Sequence, residues 1–137
     1  MQYQKAGLQA EIASFFDDVP DKMAQADIII CRAGASSVAE IATAGRPAIF
    51  IPFAGAMDDH QTANAKALET DGGAVMIAEA DCTIEALSDM LSGLLGAPAR
   101  RRKMARQARI HSHSGAAEKI VGAIFDVMRP AAQGGAS

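Results

Sequence analysis

The segment from Asp27 to Ile41 (DIIICRAGASSVAEI) has residue types suited to binding an anion. A run of β-branched residues leads into a turn of small residues, and a helical pattern follows. Backbone N–H groups at Gly34–Ser37 are expected to point outward at the helix start, where unpaired donors and the helix dipole attract a phosphate group. Gly34 allows a ligand close to the backbone and Arg32 adds positive charge. The carboxylate of Glu40, one turn into the helix, suits a vicinal diol such as a ribose.

The same segment has two other interpretations. Ser37-Val38-Ala39-Glu40 fits the capping box S-x-x-E, in which Glu40 only bonds back to the start of the helix. Gly34-Ala35-Ser36 also resembles the start of a nucleophile elbow, G-x-S-x-G, which predicts a serine hydrolase. Val38 stands where that motif needs a second glycine, so the hydrolase is the weaker alternative.

A second polar group follows a later predicted strand, in the segment IPFAGAMDDHQTAN. His60 or Gln61 and Asn64 are three or four residues apart, so their side chains share one helix face and are suited to reading sugar hydroxyls. Asp58 or Asp59 as a plain helix cap is the alternative interpretation. A metal site formed by these aspartates and His60 is weakly indicated, because adjacent residues point in different directions.

Phe15 and Phe16 are two of the chain's five phenylalanines, and they lie where a predicted strand ends. One of them is positioned to stack on a planar base. The alternative is that both fill the core under the loop.

Composition limits the other function classes. The 137 residues carry a formal net charge of -3, and this gives no sign of a nucleic-acid partner. Basic residues cluster once, at Arg100, Arg101, Arg102, Lys103, Arg106 and Arg109, which indicates either a solvated helix face or a contact with anionic lipid headgroups. The two cysteines, Cys31 and Cys82, form no CxxC pattern; we expect Cys31 to be a packed thiol at the end of a buried strand.

The chain alternates apolar strand patterns with helical patterns, and the links between them are short. Strands are predicted at Gln9–Phe16, Asp27–Cys31, Ala48–Pro52 and Ala74–Ala78. Helices are predicted at Val19–Ala26, Val38–Ala44, His60–Thr70, Ile84–Leu95, Pro98–Ile110 and Gly115–Met128. This order predicts an α/β fold, a Rossmann-like parallel sheet with helices on both faces, whose ligands bind beyond the carboxyl ends of the strands.

Two runs carry a family resemblance: CRAGASSVAEIATAGRPAIFIPF, and DDHQTANA after it. Together they resemble the C-terminal, donor-binding half of the MurG family, inverting N-acetylglucosaminyltransferases of bacterial peptidoglycan synthesis with a GT-B fold. The resemblance extends from about Gln4 to Met128. It implies transfer of N-acetylglucosamine from UDP-N-acetylglucosamine to lipid I, the undecaprenyl-pyrophosphoryl-muramyl-pentapeptide, which gives lipid II. It also implies that no metal or other cofactor is needed.

The resemblance assigns roles to particular residues. Glu40 matches the residue that binds the ribose of UDP, and Gly34, Ala35 and Ser37 match the turn that holds the diphosphate, with Arg32 beside it. Phe15 and Phe16 match positions beside the uracil. The positions that contact the sugar and its helix are matched by His60, Gln61 and Asn64, although His60 departs from the glutamine usual there.

The family's acceptor domain and its glycine-rich loop have no counterpart in these 137 residues. We therefore expect a fragment with residues 1–129 as a partial donor-binding domain, residues 130–137 as a flexible tail, and no catalytic residue of its own. The complete enzyme is expected at the cytoplasmic face of the bacterial inner membrane, bound peripherally to anionic lipid, with lipid I bound by the other domain. The alternative is a stand-alone UDP-sugar-binding subunit that docks on a separate membrane-bound acceptor subunit.

Overall fold

Three short parallel strands form the centre of the fold. The computed structural model describes residues 2–55 and 59–112. Its strands are β1 (Ile29–Cys31), β2 (Ala48–Phe50) and β3 (Ala74–Met76), paired in the order β1-β2-β3. Ile30 lies opposite Ile49, which lies opposite Val75. The parallel α/β sheet predicted from the sequence is confirmed.

Helices connect and flank these strands. They are α1 (Gln2–Lys5), α2 (Val19–Gln25), α3 (Ala35–Ala44), α4 (His60–Thr70), α5 (Ile84–Leu95) and α6 (Pro98–His111), with a 3-10 turn at Glu79–Asp81. The bounds of α4 and α5 are those predicted. The predicted helix Gly115–Met128 and the tail 130–137 lie outside the described residues. None of the helices in the described part of the chain is both long and apolar enough to cross a membrane.

The sheet is covered on both faces, as the sequence predicts. Side chains alternate across a strand, so neighbouring residues of β2 enter different clusters. Phe50, fully buried, packs in a cluster with Ile41 of α3 and Leu68 of α4. Ile49, equally buried, packs in the other cluster with Leu94 of α5. The helices on both faces hold the strands so that their carboxyl ends share one edge.

The predicted strand at Gln9–Phe16 is wrong. Residues 8–16 have no regular secondary structure, and the three strands among the described residues pair only with one another. The apolar side chains there are largely exposed, with Leu8 at 58% and Ile12 at 52%. An apolar run needs a partner for its backbone N–H and C=O groups to become a strand, and this segment finds none in the described fold.

A glycine caps the C-terminal end of α3. Gly45 adopts the left-handed conformation at φ 61°, and its N–H bonds to the carbonyl of Ile41 at 2.9 Å. Any Cβ at this position would also overlap the side chain of Arg109, which lies across it. Gly45 thereby allows α6 to pack closely on the end of α3.

Candidate functional site

Three loops meet at the carboxyl edge of the sheet. Residues 32–34 follow β1, residues 51–55 follow β2, and the 3-10 turn Glu79–Asp81 comes shortly after β3. Side chains from these loops and from the start of α4 are joined by hydrogen bonds. This edge is where ligands bind in open parallel sheets.

The start of α3 presents unpaired backbone donors. Gly34 is the N-cap, and the first intrahelical bond runs from the N–H of Val38 to the carbonyl of Gly34 at 3.0 Å. The N–H groups of Ala35, Ser36 and Ser37 therefore have no intrahelical acceptor. Ala35 and Ser36 are exposed, and no side chain of residues 2–55 and 59–112 caps this end of the helix. The geometry suits a phosphate group at the positive end of the helix dipole.

The capping-box interpretation of Ser37 and Glu40 is wrong. A capping box needs its serine at the N-cap, whereas α3 begins at Ala35 and Ser37 is its third residue. Glu40 therefore lies too far along the helix to bond back to its start. The two side chains are three residues apart and share one face of α3.

Glu40 is exposed and lines an apolar cavity between α2 and α3. The cavity has a volume of about 330 Å³, and its other walls include Pro20 and Met23 of α2 and Thr43 of α3. Among the described residues, Glu40 forms no hydrogen bond or ion pair. Its carboxylate is thus available to a ligand that also reaches the N-terminus of α3, six residues back along a rise of roughly 9 Å.

Arg32 joins all three loops at this edge. Its guanidinium donates to the carbonyl oxygens of Ile51 (3.2 Å) and Pro52 (3.4 Å) and to Oε1 of Glu79 (2.6 Å). It also lies over the ring of Phe53, 5.6 Å from the centroid. The charge that the sequence predicts beside the phosphate turn is there, but Glu79 offsets much of it. The main work of Arg32 in this structure is to fix the loop after β2.

Glu79 completes that arrangement and was missed in the sequence. Its second carboxylate oxygen accepts the N–H of Ala54 at 3.0 Å. This backbone bond, together with Arg32, lowers the pKa of the Glu79 carboxyl. Glu79 follows β3, so the expectation that ligands bind beyond the carboxyl ends of the strands points to its loop, but it does not single out this residue.

Gln61 and Asn64 hold the turn before α3. Oε1 of Gln61 accepts the N–H of Phe53 (3.0 Å) and of Ala33 (3.3 Å), and Nδ2 of Asn64 donates to the carbonyl oxygen of Ala33 (3.2 Å). Both polar groups of buried Ala33 are thus satisfied by α4. Because its oxygen is occupied, Gln61 offers a ligand its Nε2 amide donor.

His60 is the first residue of α4 and is exposed. The N-cap before it, Asp59, has a left-handed backbone at φ 54° and makes no side-chain cap bond. Such a conformation is uncommon for a residue other than glycine, although aspartate tolerates it better than most. Asp58, the other candidate for cap or metal ligand, lies outside the described residues.

The phenylalanine pair does not fill the core. Phe15 is 75% exposed, and Phe16 is half-buried with its ring centroid 4.8 Å from Nζ of Lys22. Phe16 lines a second apolar cavity that shares Met23 with the cavity beside Glu40. The structure thus places the phenylalanine pair and Glu40 on neighbouring surfaces. The exposed ring of Phe15 is open to a planar ligand.

Both cysteines line one cavity at this edge, with Arg32 and Glu79, and both are free thiols. Cys31 is half-buried and packs against the core, which confirms the packed thiol predicted for it. The expectation that its strand is buried is wrong, because β1 lies at the edge of the three-stranded sheet and Ile30 is 40% exposed. Burial raises the pKa of the Cys31 thiol to about 11. The charged thiolate is disfavoured there because it loses hydration.

We predict that Cys31 alkylates slowly at neutral pH, with a rate that rises to a midpoint near pH 11. Only the thiolate is nucleophilic, so the rate follows its deprotonation. The measurement is the pH profile of iodoacetamide labelling in the Cys82→Ala variant, where one thiol reports. In urea the midpoint should fall to the ordinary value of 9.0; a folded midpoint already at 9.0 would contradict the prediction.

Residues 1–120 match the family described as the glycosyltransferase family 28 C-terminal domain. The chain belongs to this family. Its membership contradicts the hydrolase interpretation of Ser36, since the family is one of glycosyltransferases. It agrees with the resemblance found in the Cys31–Phe53 and Asp58–Ala65 runs.

Individual relatives of this family 28 chain are named as N-acetylglucosamine transferases. A protein of Granulibacter bethesdensis is 48% identical over 108 residues, covering 79% of the chain and 28% of the relative. One of Nitrobacter hamburgensis is 41% identical over 127 residues, covering 93% and 34%. Each is called a UDP-N-acetylglucosamine--N-acetylmuramyl-(pentapeptide) pyrophosphoryl-undecaprenol N-acetylglucosamine transferase. The chain thus spans about a third of the length of these relatives.

Solved structures agree on the fold. The crystal structure of Acinetobacter baumannii MurG superposes with a TM-score of 0.80 at 39% identity, covering 88% of this chain and 35% of that one. The glycotransferase of kitacinnamycin superposes with a TM-score of 0.56 at 21% identity, covering 84% and 32%, which supports the fold alone. The Rossmann-like α/β class predicted from the sequence is therefore confirmed.

Proposed function

We propose that this family 28 chain is the donor-binding part of an N-acetylglucosaminyltransferase that uses UDP-N-acetylglucosamine. The single observation that carries the proposal is the open N-terminus of α3 with, on the same helix, the carboxylate of Glu40, which has no partner among the described residues. One end suits a diphosphate and the other a ribose diol. We take the identity of the nucleotide and of the sugar from the names of the relatives.

The roles of the remaining residues follow from their positions. The N–H groups at Ala35–Ser37 bind the diphosphate, which Gly34 allows close to the backbone, and Glu40 accepts hydrogen bonds from the ribose hydroxyls. Phe15 and Phe16 border the uracil. His60 and the Nε2 amide of Gln61 face the sugar hydroxyls, while Asn64 and Arg32 keep the two loops in place.

The chemistry is electrostatic. As the sugar leaves UDP, negative charge develops on the diphosphate, and the N-terminus of α3 is already oriented to stabilise it. A hydroxyl of the acceptor attacks the anomeric carbon in line and inverts it. No protein-held metal or cofactor is assigned a step.

The acceptor is lipid I, and the product is lipid II of peptidoglycan synthesis. The chain corresponds to about a third of its relatives' length, and we assign acceptor binding and the general base to the remainder. The complete enzyme works as a peripheral protein at the cytoplasmic face of the bacterial inner membrane, against anionic lipid. Nucleic acid is not a partner.

The test is a calorimetric titration of the chain with UDP-N-acetylglucosamine and, separately, with UDP-glucose. The two donors differ in the group at C2, where the acetamido group offers an additional hydrogen bond. We expect both to bind and the acetamido sugar to bind roughly 2- to 10-fold more tightly, the scale of one neutral hydrogen bond. Equal affinities would contradict the sugar assignment, and no binding of either would contradict the donor site.

A further inference from the structure

The basic cluster of α6 is not a uniform solvated face. This 14-residue helix carries basic side chains and no acidic one. Met104 and Ala108 are buried, and Arg101 is half-buried on the same side, whereas Arg102, Lys103 and Arg106 are exposed. The N-terminal part of the cluster borders a cavity.

That cavity lies at the amino edge of the sheet, opposite the donor site. It has a volume of about 200 Å³ and is lined by Asp27 before β1, Arg46 and Pro47 before β2, and Pro98, Arg101 and Arg102 of α6. Because the strands are parallel, the residues preceding them share this edge. The volume is several times the roughly 30 Å³ that one water occupies in the liquid, so a small anion with its waters fits.

Two of the three guanidinium groups are fixed by carbonyl oxygens. Arg46 donates through its terminal nitrogen to the carbonyl of Ala24, near the end of α2. Arg101 donates to the carbonyls of Leu94 (2.6 Å) and Leu95 (2.5 Å), at the end of α5. These bonds orient the two groups and leave other N–H donors of each for a ligand.

The positive charge of the cavity is not neutralised within the described part of the chain. None of the three arginines forms an ion pair with a carboxylate among residues 2–55 and 59–112. Asp27 is the one carboxylate that the described residues contribute to the lining.

We propose that this cavity binds a phosphate group. Guanidinium forks pair with two phosphate oxygens at once, and Arg46, Arg101 and Arg102 all line the cavity. Pro98, the first residue of α6, lines the cavity, so the positive end of the helix dipole lies beside it. The phosphate comes either from a lipid headgroup or from a soluble phosphate compound.

The test is an NMR titration of the chain with inorganic phosphate, comparing Arg102→Gln with Lys103→Gln. Both variants remove one exposed positive charge from the same helix, but only Arg102 lines the cavity. We expect saturable shifts of the amides at residues 46 and 99–102. Arg102→Gln should weaken them about fivefold or more, because a charged hydrogen bond is lost, and Lys103→Gln less than twofold.

Asp27→Asn should act in the opposite direction and raise the phosphate affinity, because it removes the one negative charge of the lining. Shifts at Gly34–Ser37 would report the donor site and should not respond to Arg102. Absence of saturable shifts at the cavity, or equal losses in the Arg102 and Lys103 variants, would overturn the proposal.

Vesicles distinguish the two sources. The chain is sedimented with phosphatidylcholine vesicles that contain or lack phosphatidylglycerol. Binding to the anionic vesicles that falls with Arg102→Gln and competes with phosphate supports a lipid headgroup. Phosphate binding without vesicle binding supports a soluble phosphate compound. If the chain binds vesicles equally with and without Arg102→Gln, and inorganic phosphate causes no saturable shifts, the cavity is not a phosphate site.

Discussion

Replacing Gln61 with leucine is expected to lower the free energy of unfolding by about 1–3 kcal/mol, the cost of a buried donor left without its acceptor. The glutamine oxygen accepts two backbone N–H groups, and that of Ala33 belongs to a fully buried residue. Leucine fills a similar volume but accepts no hydrogen bond. Urea denaturation of the two proteins measures the difference.

Two further variants separate this bond from the general cost of the substitution. Gln61→Glu keeps an acceptor oxygen and should retain most of the stability. Gln107→Leu removes a half-buried glutamine of α6 whose side chain forms no hydrogen bond with the described residues, so it should be close to neutral. If Gln61→Leu is as stable as the original chain, Gln61 does not hold the turn.

Replacing Glu40 with alanine is expected to weaken UDP binding by about 1–3 kcal/mol, or roughly 5- to 150-fold in Kd, because hydrogen bonds to a charged group are lost. The fold should be unaffected. Glu40 is exposed and unpartnered among the described residues, and alanine is at least as good a helix former. Calorimetric titration with UDP gives the affinity, and urea denaturation checks the fold.

The matched control is Glu85→Ala. Glu85 is an exposed glutamate in the first turn of α5, so its removal changes the net charge equally. UDP affinity in this variant should stay within about twofold of the original. An affinity for UDP that is unchanged in Glu40→Ala, or lowered equally in both variants, would remove Glu40 from the ribose site.

The local sequence pattern predicted structure correctly where the residues of one segment determine its conformation. The bounds of α4 and α5 follow from helical periodicity, and Thr83 caps α5 by accepting the N–H of Ala86 at 3.1 Å. The local pattern gave a wrong prediction where the conformation depends on a partner that is distant in the sequence. The apolar run Gln9–Phe16 has strand-like residues, but no strand of the described fold pairs with its backbone.

The candidate site also has one part that local pattern predicts and another that depends on distant residues. The open start of α3 was predictable from Gly34 and the small residues after it, although the S-x-x-E pattern suggested a cap that the true helix start excludes. The pairing of Arg32 with Glu79 joins residues 47 positions apart, and local pattern cannot rank such pairs. The second task of Gln61, as acceptor for two loops, likewise depends on how α4 packs against both.

The most direct test of the central claim is to map where UDP binds on the chain, by amide chemical shifts during an NMR titration. We expect the largest shifts at the amides of Gly34, Ala35, Ser36 and Ser37, with smaller ones around Glu40 and Phe16. Weak shifts at the amides of Arg46 and of residues 99–102 are compatible with the phosphate cavity. Shifts that saturate only at that amino edge, with the start of α3 unchanged, would contradict the assignment of the donor site.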